Sequence, residues 1–260
     1  MTLKQQVEKV TKCSLVLLAL CLPASQTLAA EIWPPLFREA NHPLTGKLWS
    51  IHTGRFIEAE QLFESLSPDT WLLLGESHEN PDHHLAETQL IRYLASQSRL
   101  GTVAFEMANT DQQETLDRYL GADRQEISAN SLGGARGWDW NFYAETVITA
   151  LEQADRVVAT DLTRDAKLAA YTTPELYPAP SDDYEKFMLD LLFESHCGHL
   201  PKSQLGNMLA VQIARDKQMA QSLNANTSNK IDLMIAGGAH TRYDIGIPLF
   251  ATNQKSTSIL

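Results

Sequence analysis

Cysteine is almost missing from this sequence. There are three in 260 residues, Cys13, Cys21 and Cys197, too few for a disulfide-built scaffold. A long apolar run is missing too. The stretch SLVLLALCLP, Ser14 to Pro23, falls well short of the roughly 20 residues that a spanning helix needs. Basic charge is scarce: 21 Lys and Arg stand against 32 Asp and Glu, for a net charge of -11. Phosphate binding needs a basic face, so no nucleic-acid partner is expected. Heptads, low-complexity tracts and long-period repeats are absent. What is present, 43% hydrophobic and 20% charged residues, is ordinary for a globular protein.

The first 30 residues stand apart. Lys4, Lys9 and Lys12 precede the apolar run, and the small residues Thr27, Ala29 and Ala30 follow it. This order reads as a secretory signal peptide cut after Ala29 or Ala30. A short anchor left uncut is the alternative. Residues 31–260 are then expected to form one domain of an exported protein. Cys197 would be its one cysteine, so no intramolecular disulfide can form. LALC, Leu18 to Cys21, is lipobox-like and would put a lipid on Cys21, although Leu20 stands where a small residue is wanted.

Downstream, short apolar runs alternate with helical patterns. TWLLL, GTVAF, RVVAT and IDLMIA read as strands, and STSIL as a last edge strand. KLWSIHTGRF reads as a strand, a turn at Thr53-Gly54 and a return. Between them, PDHHLAETQLIRYLASQ carries an apolar stripe of Leu85, Leu90, Ile91 and Leu94, with Asp82 near its N-cap. TDQQETLDRYL is capped near Thr110 or Asp111. Further helices cover NFYAETVITALEQ, about Asp183 to Phe193, and KSQLGNMLAVQIARDKQMAQSL. The fold class is therefore α/β, with a central, mainly parallel sheet and helices on both faces.

In such sheets ligands bind outside the carboxyl ends of the strands. Four strands here end in reactive residues, which gathers Glu76, His78, Glu106, Asp161, Arg164 and His240 at one rim. In GESHENPDHH, Gly75 is expected to turn the chain off its strand, and Pro81 to start a helix. His83 and His84 then lie in the first turn, where the positive helix end favours a neutral imidazole. The helical HExxH zinc spacing is missing. AGGAHTRYDIGIP places His240 as His78 is placed, at the end of a Gly-x-x-His unit, with Arg242 available to a carboxylate. GGARGWDWNFY mixes Trp138, Trp140, Phe142 and Tyr143, suited to a flat organic ligand or to the core. Asp216 falls on the inward stripe of its helix and needs a partner, Arg215 or a site histidine. HCGH, His196 to His199, lacks a second ligand cluster nearby and reads as a helix end, with His196 free to face the rim, rather than a zinc clamp.

Taken in order, LLLGESHENPDHH, FEMANTDQQETLDRYL, WDWNFY, TDLTR, HCGH, QIARDKQMA and GGAHTRYDIGIP resemble the ChaN-like haem-binding uptake family of the Tiki superfamily, which is also related to the erythromycin esterases. The resemblance runs from about Gly46 to Leu249. It implies an exported protein, periplasmic or a membrane-attached lipoprotein of a Gram-negative bacterium, serving haem and iron acquisition. It also implies haem bound through a tyrosine on the ferric iron with a histidine nearby, and a homodimer enclosing paired haems. An outer-membrane haem receptor is the implied partner. By motif, His78, His84, Glu106, Arg164, Asp216 and His240 match family positions. Tyr143 is the first choice of iron ligand and Tyr243 the second, with Arg164 or Arg242 holding propionates. A phenolate suits ferric haem. The alternative is a hydrolase using Glu76, His78, Glu106 and His240, with a divalent metal such as Zn or Mn or as a base without one.

Overall fold

The strands form where runs of branched and aromatic residues can be buried on both faces. A computed structural model describes residues 41–132, 139–251 and 255–260. The expected leader, Cys13 and Cys21, and Trp138 of the aromatic segment lie outside these residues. A small antiparallel hairpin pairs β1 (Leu48–Ser50) with β2 (Arg55–Ile57). After α1 (Ala59–Ser65) come β3 (Thr70–Glu76), α2 (Pro81–Ser96), β4 (Leu100–Asn109), α3 (Gln113–Tyr119), α4 (Trp140–Gln153) and β5 (Arg156–Asp161). The chain continues through α5 (Arg164–Thr172), α6 (Asp182–Ser195), α7 (Leu205–Ala225), β6 (Ile231–Gly237), the single turn α8 (Gly238–Thr241) and β7 (Lys255–Ile259).

Five strands make one sheet in the order β5-β4-β6-β3-β7, and every pairing in it is parallel. Alternate residues leave the sheet on opposite faces. Leu72, Leu74, Val103, Phe105, Leu233 and Ile235 join a core completed by Leu90, Ile91 and Leu94 of α2 and Val147 and Leu151 of α4. Trp71, Leu73, Ala104, Val158 and Met234 face the other way, onto Met219, Ala220 and Leu223 of α7. This is the expected α/β sheet covered on both faces, with STSIL at an edge beside β3.

Local details correct the sequence reading. Gly75 lies within β3 rather than at a turn. Its missing side chain makes room for α8: a Cβ there would collide with Thr241 and come within 3.1 Å of the Gly238 Cα. Asn80, not Asp82, caps α2, its side chain accepting from the Asp82 N–H at 3.1 Å, with Pro81 as the first helical residue. A capping box of Asn109 and Gln112 starts the 3-10 turn before α3, one residue ahead of Thr110. Leu85 is only partly buried. The inward face of α2 instead runs through His84, Glu87 and Thr88 before reaching Leu90, Ile91 and Leu94. HCGH closes α6 as a helix end. The His196 Nδ1 lies 2.7 Å from the Leu192 carbonyl, so the ring caps its own helix instead of facing the rim. Cys197 and Gly198 both take positive φ and Cys197 is exposed. Among the described residues, no helix is long and apolar enough to cross a membrane.

Candidate functional site

The carboxyl ends of β3, β4, β5 and β6 converge. Each carries, at or near that end, a residue that must be solvated or paired. Glu76 is the last residue of β3, and His78 follows two residues on. Glu106 sits where the pairing of β4 with β5 shifts register, between Phe105 and Asn109. Such irregularities re-aim a side chain. Asp161 ends β5, and His240 follows β6 on α8.

Two histidine–carboxylate pairs flank Glu106. His78 Nδ1 lies 2.7 Å from Glu76 Oε1 and 3.0 Å from the Tyr143 oxygen. Donation from Nδ1 leaves Nε2 toward Gly237 and the cleft. His240 Nδ1 lies 2.6 Å from Asp216 Oδ1, and its Nε2 is 3.5 Å from Glu106 Oε1. Asp216 is thus the buried orienting partner that its place on the α7 stripe required. A carboxylate behind a histidine fixes the tautomer and raises basicity. Accordingly, the hydrogen bond that His78 donates to Glu76 raises the pKa of His78. For His240, burial pulls down, but Glu106 and Asp216 outweigh it and the pKa rises.

Arg215 ties the set together. Its Nε donates to Asp161 Oδ1 at 3.0 Å, its Nη2 to Asp161 Oδ2 at 3.0 Å and to Glu106, and its Nη1 lies 3.2 Å from His240 Nε2. The Gly237 N–H donates to the other Glu106 oxygen at 2.6 Å. Burial alone would raise the Glu106 pKa, but His240, Arg215 and the Gly237 amide hold it down to about 2. Glu106 is therefore an anion, locked in place.

On the other side of β3, Tyr143 is presented by the first turns of α4, which Asp139 caps through the Asn141 N–H at 3.0 Å. The buried Tyr143 O–H donates to Glu76, and burial and that carboxylate push its pKa upward. His84 packs edge-on against the Tyr143 ring, centroids 4.5 Å apart. His83 and His84 part ways. His83 Nδ1 accepts the Ser77 N–H at 2.9 Å. For His84 the neutral expectation fails: burial favours neutrality, but hydrogen bonds to Glu76 and Glu87 outweigh it and carry the pKa to about 10.

These groups border an open cleft of about 790 Å³, lined among others by His78, Glu106, Met107, Phe142, Tyr143 and Arg215. That volume suits a small organic ligand. Glu76 and His240 line an adjoining hollow that shares His78, Glu106 and Arg215 with the cleft, and His84 packs behind Tyr143. Three further residues named from the sequence lie away from both. Arg164, the first residue of α5, is exposed and does not line the cleft. Lys167, one turn on, does line it and pairs with Asp161 Oδ2 at 2.6 Å. Thr163 caps α5, which puts position 164 at its outer start and brings 167 around to the rim. Arg242 is held by Asp244 at 2.6 Å and lies over the Phe187 ring. Tyr243 is exposed, its O–H bonded to the Ser256 carbonyl of β7. Sequence reasoning missed Lys167 and Glu87, and saw Arg215 only as a partner for Asp216. The spacing 84, 87, 88, 91 carried the signal for Glu87.

Gly237 offers a test of how tightly His78 is placed. A Cβ there would lie 3.0 Å from His78 Nε2, while the φ of -54° suits any residue. Gly237→Ala is expected to leave the thermal midpoint close to wild type, because the half-exposed His78 ring can swing away. Ligand affinity should fall about tenfold, or about 1.4 kcal/mol, measured by titration.

The geometry can be set beside known proteins. The model of the family described as haem-binding uptake, Tiki superfamily, ChaN matches residues 62–250. Among solved structures, the chain is similar to ChaN of Campylobacter jejuni, described with cofacial haem binding. The identity is 26%, the match covers 82% of this chain and 89% of that one, and the TM-score is 0.68. Weaker likenesses are to a Bacillus cereus protein, at 12% identity over 74% and 65% of the chains with a TM-score of 0.44, and to an erythromycin esterase mutant in its open conformation, at 14% over 78% and 73% with a TM-score of 0.44. No curated protein matches. The match spans most of the chain and includes every residue of the rim, so this chain belongs to the ChaN haem-binding uptake family of the Tiki superfamily.

Proposed function

We propose that this protein is an exported haem carrier whose cleft takes one face of the porphyrin, with Tyr143 as the iron ligand. The observation that carries this reading is Tyr143 lining a cleft of about 790 Å³ beside Phe142, Met107 and His78, in a chain of a haem-binding family. The groups present fit the ligand. Ferric iron favours a phenolate, and Phe142 and Met107 offer apolar, polarisable contact to a flat ring. Bound haem would supply a ferric centre seeking an anionic ligand. Tyr143 must lose its proton to serve, and the ferric charge would have to drive this against the burial and the Glu76 carboxylate that raise its pKa. His78 Nδ1 stands 3.0 Å from the phenol oxygen and can steady its charge. Among the cleft residues Lys167 is the cation best placed for a propionate, the role assigned from sequence to Arg164 or Arg242.

Periplasmic or membrane-attached placement, a homodimer around paired haems and an outer-membrane receptor belong to the same proposal. They are supported by the leader pattern and the family. The first experiment is an absorbance titration of the purified chain lacking residues 1–30 with haemin. A saturable, shifted Soret band is expected. A linear, unsaturable rise would overturn the reading.

A second reading is favoured by one observation that haem ligation leaves unused: the histidine–carboxylate pairs on both sides of Glu106. His78 backed by Glu76 is arranged as a general base. The chain would then be a hydrolase using Glu76, His78, Glu106 and His240. Turnover of ester or amide substrates that His78→Ala abolishes would support it.

A further inference from the structure

Behind the cleft, on the α2 side of Glu76, lie two buried side chains that the haem reading leaves unused, His84 and Glu87. We propose that Glu76, His84 and Glu87 form a site for one borderline divalent cation of the zinc or manganese type. It is distinct from the His78, Glu106 and His240 set, and it rests on geometry alone, whatever ligand the cleft takes.

All three residues are buried, and one ligating atom of each lies within 4.8 Å of the other two. His84 Nδ1 is 3.2 Å from Glu76 Oε2 and 3.2 Å from Glu87 Oε2. Bonds of about 2.0–2.1 Å at tetrahedral angles around zinc require ligand atoms about 3.3 Å apart, so little movement is needed. The tautomer is set from outside the group. His84 Nε2 lies 3.0 Å from the His78 carbonyl and donates to it, so Nδ1 is the nitrogen turned inward, and it becomes a ligand by releasing its proton as the cation binds. This backbone clamp is the arrangement that orients ligating histidines.

A separate observation points the same way. Glu76 Oε1 is used by Tyr143 and His78, but Oε2, fully buried, makes no well-formed hydrogen bond and has only the ion-pair contact with His84 Nδ1 at 3.2 Å. A buried carboxylate oxygen left unmet is costly, and a cation there would meet it. One imidazole and two carboxylates suit borderline ions better than calcium or magnesium, which prefer oxygen alone. Access need not run through the large cleft. Glu87 and His83 also line a small hollow of about 110 Å³ between α2 and the end of β7.

The test is zinc chloride added to chelator-stripped protein, followed by gel filtration and elemental analysis. One zinc per chain is expected, with a rise in thermal midpoint. Glu87→Gln and His84→Gln should each weaken retention by more than about 100-fold, since ligands matter at least as much as the groups that orient them. Zinc held at His78 and His240 instead would survive Glu87→Gln, and that result overturns the proposal. Should either variant fail to fold, cobalt(II) added to the His240→Ala chain decides: visible bands of a low-coordinate ion support the site, and their absence sinks it.

Discussion

Replacing Arg215 by methionine is expected to destabilise the protein by about 3–5 kcal/mol, the usual cost of removing one partner from a buried ionic group. Arg215 is mostly buried, and its guanidinium is the shared cation of Asp161 and Glu106. Methionine keeps much of the stem's packing but leaves two buried carboxylates short of charge. Lys167 still reaches Asp161 at 2.6 Å, so the larger loss falls on Glu106. For a domain of this size the midpoint should drop by roughly 6–20 °C.

The pH dependence carries the signature. Glu106 is held at about 2 against an ordinary 4.5. Such a lowered pKa stabilises the fold above about pH 4.5, and the contribution is lost as pH falls toward about 2. The gap between wild type and Arg215→Met should therefore be widest near neutrality and narrow below about pH 4.5. Denaturant melts at several pH values measure it. A gap that stays constant down to pH 3 would mean that the loss is one of packing, not charge.

Tyr143→Phe should lower haemin affinity by about 100-fold, or about 2.7 kcal/mol, and remove the spectral features of phenolate ligation. The substitution deletes one oxygen and keeps the ring against His84. In the free protein the change costs about 1.5–3 kcal/mol, chiefly the hydrogen bond to the buried Glu76 carboxylate, which leaves the domain folded. Affinity and fold are thus separable in this variant. Tyr243→Phe is the matched control. Its O–H holds the Ser256 carbonyl on the surface, so affinity and spectrum should stay as in wild type. An unchanged spectrum in Tyr143→Phe would move the iron to another ligand.

Much of this fold was legible in the sequence. The apolar runs at 70–74, 101–105, 156–160 and 231–236 are too short for core helices and too apolar for loops, and each became a strand of one parallel sheet. The site followed, because ligands gather where such strands end. Asp216 betrayed itself as a charge on an apolar stripe. The failures share a cause: chain position does not say which way a side chain leaves its element. Arg164 and Lys167 are three residues apart, and only the capping geometry of Thr163 decides which reaches the rim. Arg242 and Tyr243 come two and three residues after a site histidine, yet α8 ends at Thr241, and they leave toward α6 and β7. His84 looked neutral from its helix end because Glu87 was not recognised as its inward neighbour. A dipole at a helix end contributes about 0.3–1 kcal/mol, less than two buried carboxylates paired with the ring at 3.2 Å.

The strand order has a consequence for how the chain acquires its site. β3 and β4 are close in sequence, but β6 lies between them in the sheet. Until residues 231–237 have left the ribosome, the first two strands of the centre have no partner in common. Glu76 and Glu106 then have nothing to bring them together. A nascent chain of this protein can form its helices early and yet own no cleft. The late strand closes the centre of the sheet and brings the site together in one step, and such long-range closure is slow.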